Sequence, residues 1–247
     1  LAGINDILII TTVHDLQSFK NLLGDGSKFG LQLSYEVQTK PRGIADAFIT
    51  GENFIQNNNC ALILGDNIFY GSGFGRKLRE IQVNFSGAKI FSCPVADPRR
   101  FGVVELDDMG RPLSIEEKPS EPKSNLAVTG LYFFDVNVCE IAKSVEPSER
   151  GELEITSINN EYLRRGKLQV EQLGRSHTWL DTGTHESLLE ASNFVKSLER
   201  NNLFKLGCLE EVAYLNGWIS ATQVCNLANQ YGNSSYGNYL NNLVRRV

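Results

Sequence analysis

The 247-residue chain carries 24 Lys and Arg against 29 Asp and Glu, a formal charge of −5, and its cations are scattered, which argues against a surface built to hold nucleic acid. The longest apolar runs, Ile7 to Ile10 and Cys60 to Leu64, are far too short to span a bilayer. Five cysteines (Cys60, Cys93, Cys139, Cys208, Cys225) without C-x-x-C spacing suit reduced thiols in a cytoplasmic protein.

Leu1-Ala2-Gly3 reads as a helix end running into a strand, and the only methionine is Met109, so an initiator is expected ahead of Leu1. The run Ile7 to Ile10 predicts a strand, and Leu16, Phe19, Leu22 and Leu23 share one helical face. Leu33 to Val37 predicts the next strand. This βαβ rhythm belongs to a parallel sheet. A helix from Gly43 through Ala47, Phe48 and Phe54 leads to the wholly apolar run Cys60 to Leu64, read as a buried strand. Further strands are expected at Lys89 to Val95, Val103 to Leu106, Leu113 to Glu117 and Val128 to Phe134. With few helices between them, they suggest antiparallel members of a mixed sheet. Glu154 to Arg165 and Thr184 to Arg200 predict helices, and short helical pieces follow Leu209.

Ligands in open α/β sheets collect beyond the carboxyl ends of strands, so the polar residues that follow apolar runs matter most. Leu64 passes into Gly65-Asp66-Asn67, and Trp179-Leu180 ends in Asp181 ahead of a helix start at Thr184. Two hard carboxylates meeting at one point suit Mg²⁺, which keeps waters and takes further ligands from phosphates. Singly, Asp66 reads equally as a turn residue and Asp181 as a helix N-terminal partner. In Ser114 to Pro119, alternation sends Glu117 and Lys118 to opposite faces unless Pro119 bends the exit, and a surface ion pair is the plainer account. In Arg150-Gly151-Glu152-Leu153-Glu154 the acidic residues fit the first turn of a helix without any ligand. Spacing alone leaves all four undecided.

Seven segments together resemble one family. They are Leu64 to Asn67, Phe101 to Val104, Glu116 to Pro119, Pro122 to Asn125, Val128 to Tyr132, Arg150 to Thr156 and Trp179 to His185. They occur in this order in the glucose-1-phosphate thymidylyltransferases, sugar nucleotidyltransferases to which the chain is similar along its whole length. The resemblance implies the nucleotide-diphospho-sugar transferase fold, a Rossmann-like three-layer α/β sandwich with a mixed, mostly parallel central sheet. It implies one domain over 1–247, with a nucleotide half to about residue 85, a sugar half to about 200 and a helical regulatory or oligomerisation segment beyond. The implied reaction transfers a thymidylyl group from dTTP to glucose 1-phosphate, giving dTDP-glucose and pyrophosphate on the way to dTDP-rhamnose and related sugars. Asp66 and Asp181 would hold Mg²⁺, and Lys118 would meet the sugar phosphate. Glu117 and Glu152 would accept sugar hydroxyls, and Gly102 and Val128 would offer backbone contacts. Gln38 with Gly43 would read the thymine edge and Pro41 would join the substrate-binding residues, while Phe101, Arg150 and Trp179 would flank the pocket.

The same resemblance implies a homotetramer with a second site for a dTDP-sugar feedback ligand, at Tyr70, Gly71, Gly174, Arg175, Glu211 and Val212. Family patterns depart at Phe101, often Tyr, and at Gly75 and Leu215, often His and Arg. The family's opening strand and G-x-G-x-R-L phosphate loop are expected ahead of Leu1, which would leave a core face uncovered in this chain and assign the activity to the parent protein. Three other readings remain: a transferase for UTP or another sugar, a chain that binds dTDP-sugars without catalysis, and a Rossmann oxidoreductase, for which no dinucleotide glycine fingerprint is present.

Overall fold

The structure is a computed structural model that describes residues 1–83, 85–201 and 204–246. Strand β1 (Asp6–Thr11) pairs in parallel with β2 (Gln32–Val37), with α1 (Leu16–Leu23) between them. The helix expected from Gly43 onward is two short ones, α2 (Asp46–Thr50) and α3 (Glu52–Ile55), which meet at Gly51. A side chain at Gly51 would lie 2.9 Å from the Ala47 carbonyl. Next come β3 (Cys60–Ile63), β4 (Asn67–Gly71), α4 (Phe74–Val83) and β5 (Ala88–Pro94). They are followed by β6 (Gly102–Leu106), β7 (Pro112–Glu117), β8 (Leu126–Phe134), α5 (Val138–Lys143) and α6 (Ile155–Arg164). The chain continues through β9 (Leu168–Gln172), β10 (His177–Asp181), α7 (His185–Asn201), α8 (Leu209–Leu215), α9 (Ala221–Gln230) and α10 (Ser235–Arg246).

The main sheet runs β7-β6-β8-β5-β9, and β3 pairs with β8. The expected α/β layering and mixed sheet are present, with β3, β5, β6 and β9 running in one direction and β7 and β8 opposed to them. Among the described residues only the neighbours β1 with β2 and β5 with β9 pair in parallel, while β8 is antiparallel to β3, β5 and β6. A tight turn closed by Gly110 N–H on the Asp107 carbonyl at 2.9 Å joins β6 to β7, and so short a connection allows only antiparallel pairing.

Phe134, Tyr132, Ile90 and Ala88 face one side of the sheet and pack with Ile158 and Tyr162 of α6 and Phe48 of α2. Phe91, Leu131 and Phe133 face the other side, against Phe74, Leu78 and Ile81 of α4. Both layers follow from period-2 strands meeting helical stripes. Ser220 and Gln223 cap α9 reciprocally, and α8 to α10 close over Phe29 as a third cluster.

The run Cys60 to Leu64 is not buried on both faces as expected, because Ile63 is 58% exposed. Between β1 and β3 lies a cavity of about 550 Å³ lined by Leu8, Ile10, Phe48, Ile55, Leu62 and Phe133. It separates the β1·β2 pair from the main sheet. Among the described residues, no helix is long and apolar enough to cross a membrane.

Candidate active site

β4 and β10 pair antiparallel with Asp181 opposite Asn67, and this ladder carries the two expected metal carboxylates to one place. A point beside Gly183, where a Cβ would stand, lies 3.3 Å from Asp181 Oδ1 and 3.6 Å from Asp66 Oδ2. Two anionic oxygens there fit a hard divalent cation that keeps waters or phosphate oxygens as its other ligands. No group of three or more His, Cys, Asp and Glu that could hold a metal occurs among the described residues. Arg100 Nη2 lies 3.8 Å from Asp181 Oδ2 and balances part of the charge.

Asn67 ties this corner together. Its Oδ1 accepts from Trp179 Nε1 at 2.6 Å and from Gly130 N–H at 3.0 Å, and its Nδ2 donates to Asp66 Oδ1 at 2.8 Å. Gly130 sits where the β5·β8 register shifts, and a side chain there would lie 2.6 Å from Asn67 Oδ1. Trp179 in turn meets the edge of Phe101 at 5.1 Å.

The β7 ladder ends at Glu117. Lys118 then adopts a φ of +44°, uncommon for a long side chain, and its N–H donates to the Phe101 carbonyl at 3.0 Å. This bend resolves the alternation problem, since Glu117 and Lys118 line the same cavity, of about 220 Å³. Glu117 Oε2 accepts from Thr156 Oγ1 at 2.5 Å, and Oε1 lies 3.8 Å from Arg150 Nη2. Arg150 also donates to Glu154 at 2.8 Å and lies 3.4 Å from Glu152. The Glu154 hydrogen bond pushes the Arg150 pKa up, keeping it a fixed cation. Burial pushes the Tyr132 phenol up, so it stays neutral at the cavity wall.

Asp66, Phe101, Gly102, Glu117, Lys118, Val128, Trp179 and Asp181 thus line one cavity. Arg150 reaches it through Glu117, whereas Glu152, Gln38, Pro41 and Gly43 are not among its lining residues. Gly43 neighbours the lining residue Ile44, and a Cβ on it would lie 2.4 Å from the Leu153 carbonyl. Sequence reasoning gave no role to Asn67, Arg100 or Thr156, although all three line the cavity. Asn67 and Thr156 stood inside the matching segments, and Arg100 directly precedes one.

Of the six positions expected to form a regulatory site, Gly71 pairs with His177 on the β4·β10 ladder, and the His177 N–H reaches the Gly174 carbonyl, so the Tyr70-Gly71 and Gly174-Arg175 segments meet there. Tyr70 stacks on Phe204 at 6.1 Å and meets the edge of Phe194 at 5.9 Å, so its ring packs within the fold. Glu211 accepts from Tyr239 at 2.6 Å and Val212 lies in α8, while Gly174 accepts from His177 N–H at 2.9 Å in the turn that contains Arg175.

A model of the nucleotidyl transferase family matches residues 1–197. A glucose-1-phosphate thymidylyltransferase of Neisseria meningitidis is 52% identical over 246 residues, covering 100% of this chain and 85% of the relative. One from Mycolicibacterium smegmatis is 50% identical with the same coverage. A Bacillus anthracis structure, described as a glucose-1-phosphate thymidylyltransferase in complex with sucrose, superposes with a TM-score of 0.71 at 42% identity, over 78% of this chain and 77% of that one. A UDP-glucose pyrophosphorylase complexed with UDP-glucose shares the fold, with a TM-score of 0.65 at 24% identity over 79% of this chain and 82% of that one.

Proposed function

The chain belongs to the nucleotidyl transferase family, and on that premise we propose that it transfers the thymidylyl group of dTTP to glucose 1-phosphate, releasing pyrophosphate. The observation that carries the reading is the convergence of Asp66, Asp181, Glu117 and Lys118 on one cavity. A bond forms between a phosphate oxygen of the sugar and the α-phosphorus, and the bond from the α-phosphorus to the bridging oxygen breaks. Pyrophosphate leaves with the electron pair. A phosphate monoester is largely dianionic at neutral pH, so the nucleophile needs no general base. It needs positioning and charge balance.

Lys118, turned into the cavity by its backbone, supplies a cation for the sugar phosphate. Glu117, held by Thr156, offers Oε1 to a sugar hydroxyl. Gly102 leaves room there, since a side chain on it would meet Thr156 Oγ1 at 3.2 Å and Glu117 Oε2 at 3.4 Å. Asp66 and Asp181 would hold Mg²⁺, which when bound offsets charge on the α-phosphate. Gln38, Pro41 and Gly43 form the base side, and Glu152 acts with Arg150 at the rim. Exposed Leu188 and Leu189 on α7 supply apolar surface for the proposed homotetramer. A dTDP-sugar regulatory site at the Tyr70, Arg175 and Glu211 positions is part of the same proposal.

The test is pyrophosphate release from dTTP and from UTP, with and without glucose 1-phosphate. Release from dTTP that requires the sugar phosphate supports the reading. A preference for UTP would reassign the nucleotide. Sugar-independent hydrolysis would remove the transferase assignment.

A further inference from the structure

Gln38 directly follows β2, where its N–H donates to the Thr11 carbonyl at 2.9 Å. Its side-chain Nε2 lies 2.8 Å from Asp46 Oδ2 and 3.3 Å from the Gly43 carbonyl. An ionised carboxylate and a main-chain carbonyl can only accept, so the Gln38 atom facing both must be the NH₂ group. An amide that is free elsewhere to choose between two flips is fixed here by chemistry.

Asp46 is itself held. It is 1% exposed, and its Oδ1 accepts from Arg42 Nη2 at 2.6 Å. A buried carboxylate paired with a guanidinium on one side and an amide on the other has no vacant rotamer to turn into. The Gly43 carbonyl is fixed as well: Gly43 has a φ of +102° and packs on the Leu153 backbone, and Ala45 N–H donates to the Leu153 carbonyl at 3.0 Å. The group of Gln38 left over is Oε1, which has no hydrogen bond among the described residues.

A lone amide oxygen asks for a donor. Thymine and uracil carry N3–H on their Watson–Crick edge, whereas cytosine carries an N3 lone pair. We infer that Asp46 sets the pyrimidine selectivity of this protein without touching the nucleotide: it locks Gln38 with Oε1 outward, so the residue accepts from N3–H and turns cytosine away. Asp46 is a positioning residue, and Gln38 the group it positions. The inference rests on the proposed base side of the site, and it adds what decides the base.

Calorimetry with UDP-glucose and CDP-glucose tests it, because the two ligands share ribose, diphosphate and sugar and differ only on the pyrimidine edge. The wild-type protein is expected to prefer UDP-glucose by about a hundredfold, since CDP-glucose both loses a hydrogen bond and sets acceptor against acceptor. Asp46→Leu frees the amide to flip and should narrow the preference to about tenfold or less. Asp46→Asn is nearly isosteric, but Arg42 keeps the oxygen of the new amide, so its NH₂ faces Gln38 and favours the flipped side chain, which should narrow the preference as well. If Asp46→Leu does not fold, Asp46→Asn decides alone. A purely structural role would weaken both ligands together, and an unchanged ratio in a folded variant overturns the inference. Equal wild-type affinity for the two ligands also overturns it. Wild-type protein that binds neither ligand removes the base side of the proposed function, and the inference with it.

Discussion

Thr156 Oγ1 donates a 2.5 Å hydrogen bond to Glu117 Oε2, joining residues 39 positions apart. It leaves Oε1 of the same carboxylate for the cavity, beside Arg150 at 3.8 Å. Thr156→Val removes the donor and keeps the shape. The KM for glucose 1-phosphate should rise about tenfold, the cost of roughly one hydrogen bond to a charged group, while the KM for dTTP stays within about twofold. Thr156→Ser should restore most of the loss. Equal weakening of both substrates would mean that Thr156 supports the fold rather than Glu117.

Asn67 is the joint between the β4·β10 ladder and β8. Asn67→Leu leaves the Trp179 indole N–H and the Gly130 N–H without their acceptor. Urea unfolding should show a loss of about 2 kcal/mol or more, since each buried donor left unpaired costs about 1–3 kcal/mol. A loss well under 1 kcal/mol would indicate that water replaces the side chain.

Asp135 provides an acid-sensitive contact in the core. Burial opposes its charged form, yet hydrogen bonds from the Tyr162 hydroxyl at 2.7 Å, from Asn137 and from Gly87 N–H outweigh it and hold the carboxyl below its usual range. A carboxyl with a folded pKa below its unfolded value, about 3.9, adds stability that is fully present above that value. The contribution fades as pH falls toward the lower folded pKa. Asp135→Asn should therefore lower the Tm at pH 7 and narrow its gap to wild type as pH drops below about 4. A gap independent of pH would assign the loss to shape rather than charge.

Both strand exits that deliver Asp66 and Asp181 were legible, because each apolar run stops at its carboxylate. Their convergence came from the family resemblance and not from spacing. It depends on the antiparallel register of β4 with β10, and β4 gave no signal of its own since Asn67, Tyr70 and Gly71 interrupt its apolar pattern. Alternation alone would have separated Glu117 from Lys118, and the positive φ that reunites them at the exit of β7 is local backbone geometry that period-2 reasoning does not contain. Asn67 and Thr156 lay in matching segments but gained roles only from partners far away in the chain, at Trp179 and Glu117. The opening βαβ rhythm describes only the first strands, and the β6·β7 hairpin and the antiparallel central strand β8 depart from it.

The central claim is that Asp66 and Asp181 act as one Mg²⁺-holding pair in thymidylyl transfer. The direct measurement is the initial rate of pyrophosphate release from dTTP and glucose 1-phosphate across a Mg²⁺ titration, for wild type, Asp66→Asn and Asp181→Asn, with circular dichroism to show that each variant is folded. Wild-type release should require Mg²⁺, and each substitution should cut the saturated rate by about a hundredfold or more. A folded variant that keeps the wild-type rate and Mg²⁺ response would contradict the account.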